Sequence, residues 1–267
     1  MKDSHLLSTI GLVVIATIGC GGSHPQEASA ERAGEPDAPM QLAQAPSEPA
    51  QGSAAGSASV KGTIRFEGAA PASEKIKMDA DPVCQQQHAT PVTAEDVVVN
   101  SNGTLKNVIV YVKEGVKGSA PAPTTPVVLN QKGCWYQPHV FGIQTNQPLE
   151  IVNSDATLHN INAKPTQNQP FNIAQPVQGM KTQKKFTKPE VGVTFKCNVH
   201  PWMRAYAVVT DHPFFSVSDG VGAFTISGLP AGTYVLEAWH EKYGTSLQNV
   251  TVSDGQTQSA DFTFNAK

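Results

Sequence analysis

From Val60 onward, the chain alternates short apolar runs with polar breaks. Phe224 and Ile226 alternate with Ala223 and Thr225, which is the period of two expected of a strand with one buried face. The apolar runs are VKGTIRF, NVIVYV, TPVVL, PLEIVN, HNINA, VGVTFK, YAVVT, GAFTI, TYVLEAW, NVTV and DFTF, and Gly, Pro, Asn and Asp separate them. Because short strands between turn signals are typical of sandwiches and barrels, this pattern predicts an all-β protein built from β-sandwiches.

Residues 1–20 carry a different pattern. A short charged start precedes an apolar stretch from Leu6 to Ile18, which is shorter than the roughly 20 residues that span a bilayer as a helix. Such a stretch is typical of an export signal, which is removed from the mature protein. The stretch ends at Cys20 in a context that resembles a bacterial lipobox, although cleavage at the small residues 28–30 is an alternative. The resemblance implies that Cys20 is lipidated and anchors the protein to a membrane.

Residues 21–59 are mostly Gly, Ala, Ser and Pro. They cannot bury enough apolar surface to offset the entropy of ordering, so they are predicted to form a disordered tether. The whole chain has a formal net charge of -3, and because this tether is acidic, the remainder is close to neutral. A near-neutral body argues against nucleic acid as a partner. The expected location is the cell envelope, as an outer-membrane lipoprotein that faces the periplasm or the cell surface.

Four residues with metal-binding side chains lie beside the predicted strands. The segment VGVTFKCNVHPWM places Cys197, His200 and Met203 directly after an apolar run, and His159 begins the run HNINA. Two imidazoles, one thiolate and a weak axial thioether form the ligand set of a blue-copper site. Zinc also accepts Cys and His, but structural zinc sites favour more thiolates or a carboxylate. Copper is therefore the preferred metal.

Residues 126–211 resemble a cupredoxin. The loop spacing of Cys, two residues, His, Pro, an aromatic residue and Met is similar to that of the amicyanin branch of this family, and the runs LEIVNSD and MRAYAVV agree in order. The resemblance implies a Greek-key β-sandwich that binds one type 1 copper ion. The implied ligands are His159, Cys197, His200 and Met203.

The same resemblance assigns roles to the neighbours of the ligands. Asn160, which follows the first histidine, would hydrogen-bond across to the cysteine loop and hold its geometry. One edge of His200 would lie near solvent and serve as the port for electrons. Pro201 and Trp202 would then belong to an apolar docking patch.

The other two cysteines have two readings. In an exported protein, Cys84 and Cys134 would pair as a disulfide and leave Cys197 as the free thiol. Each is also followed by a histidine, His88 or His139. Two cysteines and two histidines could close a second tetrahedral metal site if the fold brought them together.

A second module is indicated at the C-terminal end. Residues 216–252, with the turns in DGVGAF and GLPAGTY, resemble a carboxypeptidase regulatory-like domain, which is a small transthyretin-like, carbohydrate-binding-like sandwich. Glycine and proline supply the backbone angles that such turns need. That family usually opens with a strand like the run VKGTIRF. We therefore expect the cupredoxin (119–212) to be inserted into one discontinuous sandwich (60–118 and 213–267), with two consecutive domains as the alternative.

These features predict an electron carrier rather than an enzyme. Four protein ligands leave no open position for a substrate, and the expected partner is a redox protein that the sequence does not identify. Two alternatives stay open, namely a copper-handling protein without a redox partner and a surface module that binds carbohydrate or protein around a structural metal. Trp239 and Tyr243 could stack on a sugar ring, although packing is the commoner role of such residues.

Overall fold

The computed structural model of the protein describes residues 56–266, and nearly all its elements are strands. The strands are β1 (Ala58–Glu67), β2 (Ile109–Glu114), β3 (Val127–Gln131), β4 (Tyr136–Gln137), β5 (Val140–Gln144), β6 (Leu149–Asn153), β7 (His159–Lys164), β8 (Phe171–Gln175), β9 (Lys181–Lys184), β10 (Glu190–Lys196), β11 (Arg204–Thr210), β12 (Phe215–Val217), β13 (Ala223–Leu229), β14 (Gly232–His240), β15 (Gly244–Val252), β16 (Thr257–Ser259) and β17 (Phe262–Asn265). One helix of five residues, α1 (Pro82–Gln86), lies between β1 and β2. The predicted all-β fold is confirmed.

The predicted export signal (1–20), with Cys20, lies outside the described residues. So does most of the predicted tether (21–59), although β1 already begins at Ala58. None of the helices in residues 56–266 has the length and apolar character needed to cross a membrane.

The first sandwich combines strands from the two ends of the described chain. β1 lies between β13, which runs antiparallel to it, and β16 and β17, which run parallel to it. The second sheet has the order β12-β2-β14-β15. Phe224 and Ile226 are buried while Ala223 and Thr225 are exposed, so the predicted alternation holds along β13. The shared apolar core includes Val60, Ile64, Leu105, Val110, Leu236 and Val250.

The second sandwich is formed by the strands from β3 to β11. Its larger sheet has the order β5-β11-β10-β7-β8, and its smaller sheet has the order β4-β3-β6-β9. Both sheets bury aliphatic and aromatic side chains in one core, and each fully buried large side chain contributes roughly 1.5–3 kcal/mol to folding. This core includes Leu129, Tyr136, Ile151, Ile161, Phe186 and Phe195.

The chain leaves the first sandwich after β2 and returns to it at β12, which lies beside β2. β2 ends at Glu114, and β12 begins at Phe215 and pairs antiparallel with β2, with Phe215 opposite Tyr111. The two ends of the intervening segment are therefore close together, as an insertion into a folded domain requires.

The segment around α1 packs against the second sandwich although it precedes β2 in the chain. Met78 and Cys84 are buried in the core of that sandwich, and Ile76 lies against it. Asp81 caps the helix by accepting the backbone N–H of Val83 at 2.9 Å. The region from residue 60 to 118 therefore divides between the two cores.

Cys84 and Cys134 form a disulfide. It joins α1 to the turn between β3 and β4, so the predicted pairing is confirmed. Cys197 is the free cysteine of the described residues, and it is buried.

Candidate metal centre

The turn between β10 and β11 contains three of the four predicted ligands. Residues 197–203, here called the metal loop, are closed by backbone hydrogen bonds from Cys197 N–H to Met203 O at 3.2 Å and from Met203 N–H to His200 O at 2.9 Å. The backbone N–H of His200 also donates to Cys197 Sγ at 3.3 Å. These bonds turn the loop back on itself, so that Cys197 and His200 lie on the same side.

His159 approaches the metal loop from the neighbouring strand. It begins β7, which pairs antiparallel with β10. His159 Nδ1 lies 3.0 Å from His200 Nδ1, and Cys197 Sγ lies 3.8 Å from that same His200 nitrogen. All three residues are buried, and together they could hold a metal ion. The structure thus brings together one thiol and two imidazole nitrogens that the sequence separates.

Met203 is the last residue of the metal loop. Its side chain is fully buried in the core of the second sandwich, which also includes Cys197. Thioether sulfur is a weak donor, and a buried methionine alone is equally consistent with core packing.

Each of the two imidazoles is hydrogen-bonded to a carboxylate. His159 Nε2 contacts Asp155 Oδ2 at 2.8 Å, and His200 Nε2 contacts Asp81 Oδ2 at 3.0 Å. A carboxylate oxygen only accepts, so each Nε2 carries the proton. When the ring is neutral, the lone pair then lies on Nδ1, and both Nδ1 atoms face Cys197.

The two carboxylates are themselves held in place. Asp155 accepts the backbone N–H of Cys134 at 2.8 Å and that of Gly133 at 2.9 Å, while Asp81 accepts the hydroxyl of Thr157 at 2.9 Å. Burial alone would raise the pKa of both aspartates. The hydrogen bonds from the histidines and from these N–H and O–H donors outweigh burial and hold each pKa below its usual value.

The thiol of Cys197 is prepared to ionise. Burial raises its pKa, but hydrogen bonds with His159 and His200 outweigh this effect and lower the pKa to about 6. The pKa of His159 is raised, because its hydrogen bonds with Asp155 and Cys197 outweigh the opposite effect of burial. A thiolate is the form of cysteine that binds metal, so this environment favours a ligand.

Asn160 links the first histidine to the metal loop. Its side-chain Oδ1 accepts the backbone N–H of Asn198, the residue after Cys197. Its backbone carbonyl accepts the buried hydroxyl of Tyr136. The start of β7 and the metal loop are therefore tied together independently of the candidate ligands.

The surroundings of His200 differ from the expectation. We expected one edge of this ring near solvent, but the residue is only 2% exposed. Asp81 and Cys84, whose Sγ lies 3.5 Å from His200 Nε2, cover that edge. The segment around α1 therefore closes the expected port. Pro201 is exposed, whereas Trp202 is half-buried and packs on His200 with its ring centroid 5.1 Å away.

The second metal site considered for Cys84, His88, Cys134 and His139 is not formed. Both cysteines are oxidised to the disulfide, so neither offers a thiolate. His88 Nε2 bonds to the backbone carbonyl of Gly133 at 2.7 Å. His139 Nε2 bonds instead to Glu241.

The two aromatic residues considered for sugar stacking make packing contacts. The ring of Trp239 lies 5.7 Å from that of Tyr206, between the two sandwiches. The ring of Tyr243 lies 5.3 Å from that of Phe66. Both are half-buried.

Two polar residues of the metal centre, Asp155 and Asp81, were missed from the sequence, and so was Glu241, the partner of His139. Asp155 lies four residues before His159, and that spacing was a usable signal. Asp81 carries a helix-capping signal, because it precedes Pro82, but nothing in its sequence points to His200. Glu241 gave no signal at all, since its partner His139 is 102 residues away.

The C-terminal part of the chain matches a known family. A sequence model of the carboxypeptidase regulatory-like domain matches residues 205–265, which confirms the resemblance stated for that region. No curated protein matches the chain in sequence.

Several solved structures are similar to part of the chain. The copper-containing nitrite reductase from Thermus scotoductus SA-01 is 26% identical over 35% of this chain, with a TM-score of 0.30, and the match spans 24% of that enzyme. A mutant of amicyanin in the Cu(I) state is 17% identical over 32% of this chain and 81% of its own, with a TM-score of 0.28. A purple cupredoxin from Nitrosopumilus maritimus is 19% identical over 32% of this chain and 98% of its own, with a TM-score of 0.27. Cupredoxins are thus among the proteins to which this chain is similar.

Proposed function

We propose that this protein is a type 1 copper protein that carries single electrons between redox partners. One observation supports this proposal above the others. In a buried pocket, the Nδ1 atoms of His159 and His200 converge on Cys197 Sγ, while both Nε2 atoms are held by carboxylates. The fourth donor, Met203, follows in the same closed loop.

The distances suit one ion bound by all three donors. Metal–nitrogen bonds of ~2.0 Å and a metal–sulfur bond of ~2.3 Å put the two nitrogens about 3.0–3.5 Å apart and the sulfur about 3.5–3.7 Å from each nitrogen. The observed separations are 3.0 Å between the two Nδ1 atoms and 3.8 Å between Cys197 Sγ and His200 Nδ1. The side chains would need little movement to bind.

The donor set favours copper over zinc. A lone thiolate with two imidazoles and a thioether is the set of blue-copper sites, whereas the nearby carboxylates of Asp81 and Asp155 are engaged by the imidazole N–H groups. Copper held there would supply a reversible one-electron change. Asp155 and Asp81 would keep the rings oriented, and Asn160 would hold the loop, so that the donors move little between oxidation states.

The same surroundings support a carrier rather than an enzyme. His159, Cys197 and His200 are almost completely buried, and the four donors leave no coordination position for a substrate. The proposed location is the cell envelope, with lipid attached at Cys20 and a membrane-held tether before β1. This part of the proposal rests on the N-terminal sequence alone.

A visible absorption spectrum tests the proposal. Residues 56–267 loaded with Cu(II) should show an intense thiolate-to-copper charge-transfer band, because Cys197 is the one free thiol of the described residues. The band should vanish in Cys197→Ser. It should persist in His88→Gln, which removes a histidine that bonds only to a backbone carbonyl among the contacts described.

Two results would contradict the proposal. Tight copper binding without the band would indicate a relaxed site and favour a metal-handling function. A band that survives in Cys197→Ser would place the thiolate elsewhere. Reversible oxidation and reduction of the loaded protein, followed at the same band, would support electron transfer.

A further inference from the structure

A cavity of about 530 Å³ lies beside the metal loop. The indoles of Trp135 and Trp202 form part of its wall, and Pro201 lies next to them. His139 and Glu241 line it as well. Its volume lies in the range of small-molecule sites. Its lining combines two tryptophans with eight ionisable side chains.

The cavity touches the candidate metal centre through Trp202. The edge of His200 is closed by Asp81 and Cys84, so the ring does not reach the surface there. Its neighbour Trp202 packs on the His200 ring, and Trp202 also lines the cavity. The indole N–H of Trp202 donates to the backbone carbonyl of Cys134 at 3.1 Å, which holds this contact in place. A molecule in the cavity would therefore be one aromatic residue away from a proposed copper ligand.

A buried acid–base pair stands in the wall of the cavity. His139 and Glu241 are hydrogen-bonded to each other, and their side chains are only 7% and 8% exposed. His139 Nδ1 donates to the backbone carbonyl of Arg204 at 3.1 Å. The contact between His139 Nε2 and the Glu241 carboxylate therefore involves a different proton. Burial lowers the pKa of His139, but the contact with Glu241 outweighs burial and raises it. Burying such a pair is costly, and the electron carrier proposed above does not use it.

The charges around the cavity favour a neutral ligand. The lining includes as many basic as acidic groups when His139 is protonated, so that no net charge would select an ion. The basic residues are Lys75, Lys77 and Arg204, and the acidic residues are Glu74, Glu95, Asp96 and Glu241. Trp135 and Trp202 line the cavity together with the carboxylate of Glu241. This combination suits an aromatic ring that carries a hydroxyl group.

We propose that this cavity binds a small neutral phenol or hydroquinone that donates electrons to the centre through Trp202. The inference rests on the proposed function, since the electron needs an oxidised centre to accept it. When the donor loses one electron, its O–H bond breaks. Glu241 accepts the proton, Trp202 and His200 conduct the electron to Cu(II), which becomes Cu(I), and a neutral aryloxyl radical leaves.

Binding is measured first on the copper-free protein, so that the result does not depend on the metal. Hydroquinone should shift the indole N–H signals of Trp135 and Trp202 in an NMR titration, and the shifts should saturate. Glu241→Gln should weaken binding about tenfold, because a hydrogen bond to a charged acceptor is lost. Trp135→Ala should weaken it similarly, and Trp135→Phe should restore part of it if the larger change disturbs folding.

The matched control is Glu67→Gln. This exposed glutamate lies on β1 in the first sandwich and does not line the cavity. It should bind hydroquinone like the wild type. Absence of saturable shifts in the copper-free wild type would overturn the proposal, as would equal binding by wild type and Glu241→Gln, or saturation by glucose in place of hydroquinone.

Reduction of the copper-loaded protein separates the two proposals. The rate of bleaching of the visible band by hydroquinone should saturate near the concentration that saturates the NMR shifts. Glu241→Gln should lose this saturation, while reduction by hexaammineruthenium(II), which needs no cavity, stays unchanged. If the band never forms, the copper function fails while the binding result stands. If the band forms but hydroquinone does not bind, the cavity assignment fails alone.

Discussion

Asp155 and Asp81 determine which ring nitrogen of His159 and of His200 faces Cys197. Each accepts a hydrogen bond from Nε2 and thereby leaves Nδ1 of His159 or His200 to face the thiol. Asp155 is held by two backbone N–H groups, whereas Asp81 reaches the site from a different part of the chain. The proposed copper centre therefore depends on residues that donate no ligand atom.

His240 is also buried, but its pKa is lowered, whereas that of His159 is raised. It is 1% exposed, and its Nδ1 accepts the backbone N–H of Lys242 at 3.1 Å. Burial, together with the charge of His139, lowers the pKa of His240 to about 4. The neutral ring is thus the form that the folded protein favours.

This pKa predicts a loss of stability in acid. The unfolded chain binds the proton near pH ~6.5, so the stability from neutral His240 is complete above that pH and is lost as the pH falls towards about 4. Between about pH 7 and pH 4.5, the wild type should lose about 2–3 kcal/mol more unfolding free energy than His240→Gln. Urea denaturation of the copper-free proteins at both pH values measures this difference. Equal losses in the two proteins would contradict the assignment.

At the scale of elements, α1 and its disulfide act as a cap on the second sandwich. The term cap refers here to Asp81, α1 and the Cys84–Cys134 disulfide. The disulfide closes a segment with a sequence separation of 50 residues, and Cys84 and Cys134 are both fully buried. The cap thus brings a segment from before β2 over the edge of His200.

Removing the disulfide should destabilise the protein. The double variant Cys84→Ala, Cys134→Ala should lose about 2–5 kcal/mol of unfolding free energy, because the unfolded chain regains the freedom of that loop. Denaturant unfolding under oxidising conditions measures the loss. Adding a reductant should lower the stability of the wild type and leave the double variant unchanged, and equal sensitivity of the two would contradict the prediction.

At the scale of the whole molecule, the two sandwiches share an apolar contact. Ile109 and Tyr111 of β2 pack with Val140 and Val208 from the second sandwich. Trp239 of β14 adds to this cluster and lies against β11 through Tyr206. This contact should make the two sandwiches unfold together.

Calorimetry tests this coupling. The wild type should unfold in one cooperative transition, and Trp239→Ala should lower the unfolding free energy by about 2–4 kcal/mol and separate two transitions. Leu247→Ala on the adjacent strand β15 is the control, because Leu247 is exposed on the same sheet. It should leave the single transition unchanged. One sharp transition in Trp239→Ala would show that the two sandwiches are coupled by other contacts.

The strands and the candidate ligands could be read from the sequence because both signals are local. The alternation of Phe224 and Ile226 with polar neighbours follows from a strand with one buried face. Cys197, His200 and Met203 are close because they share one turn between paired strands. The pairing of Cys84 with Cys134 was also predictable, because exported proteins form disulfides and the loop spacing reserves Cys197 as a candidate ligand.

The surroundings of His200 were decided only by tertiary packing. Asp81 lies 119 residues from His200 in the chain, and His139 lies 102 residues from Glu241. No local pattern records such contacts, because they depend on which segment covers the sandwich and on how the two sandwiches meet. The sequence alone determined the strands and the candidate donor set, since backbone pattern and loop spacing act over a few residues. Whether His200 faces solvent or a cap, and whether a cavity opens beside Trp202, was decided by the packing of distant segments.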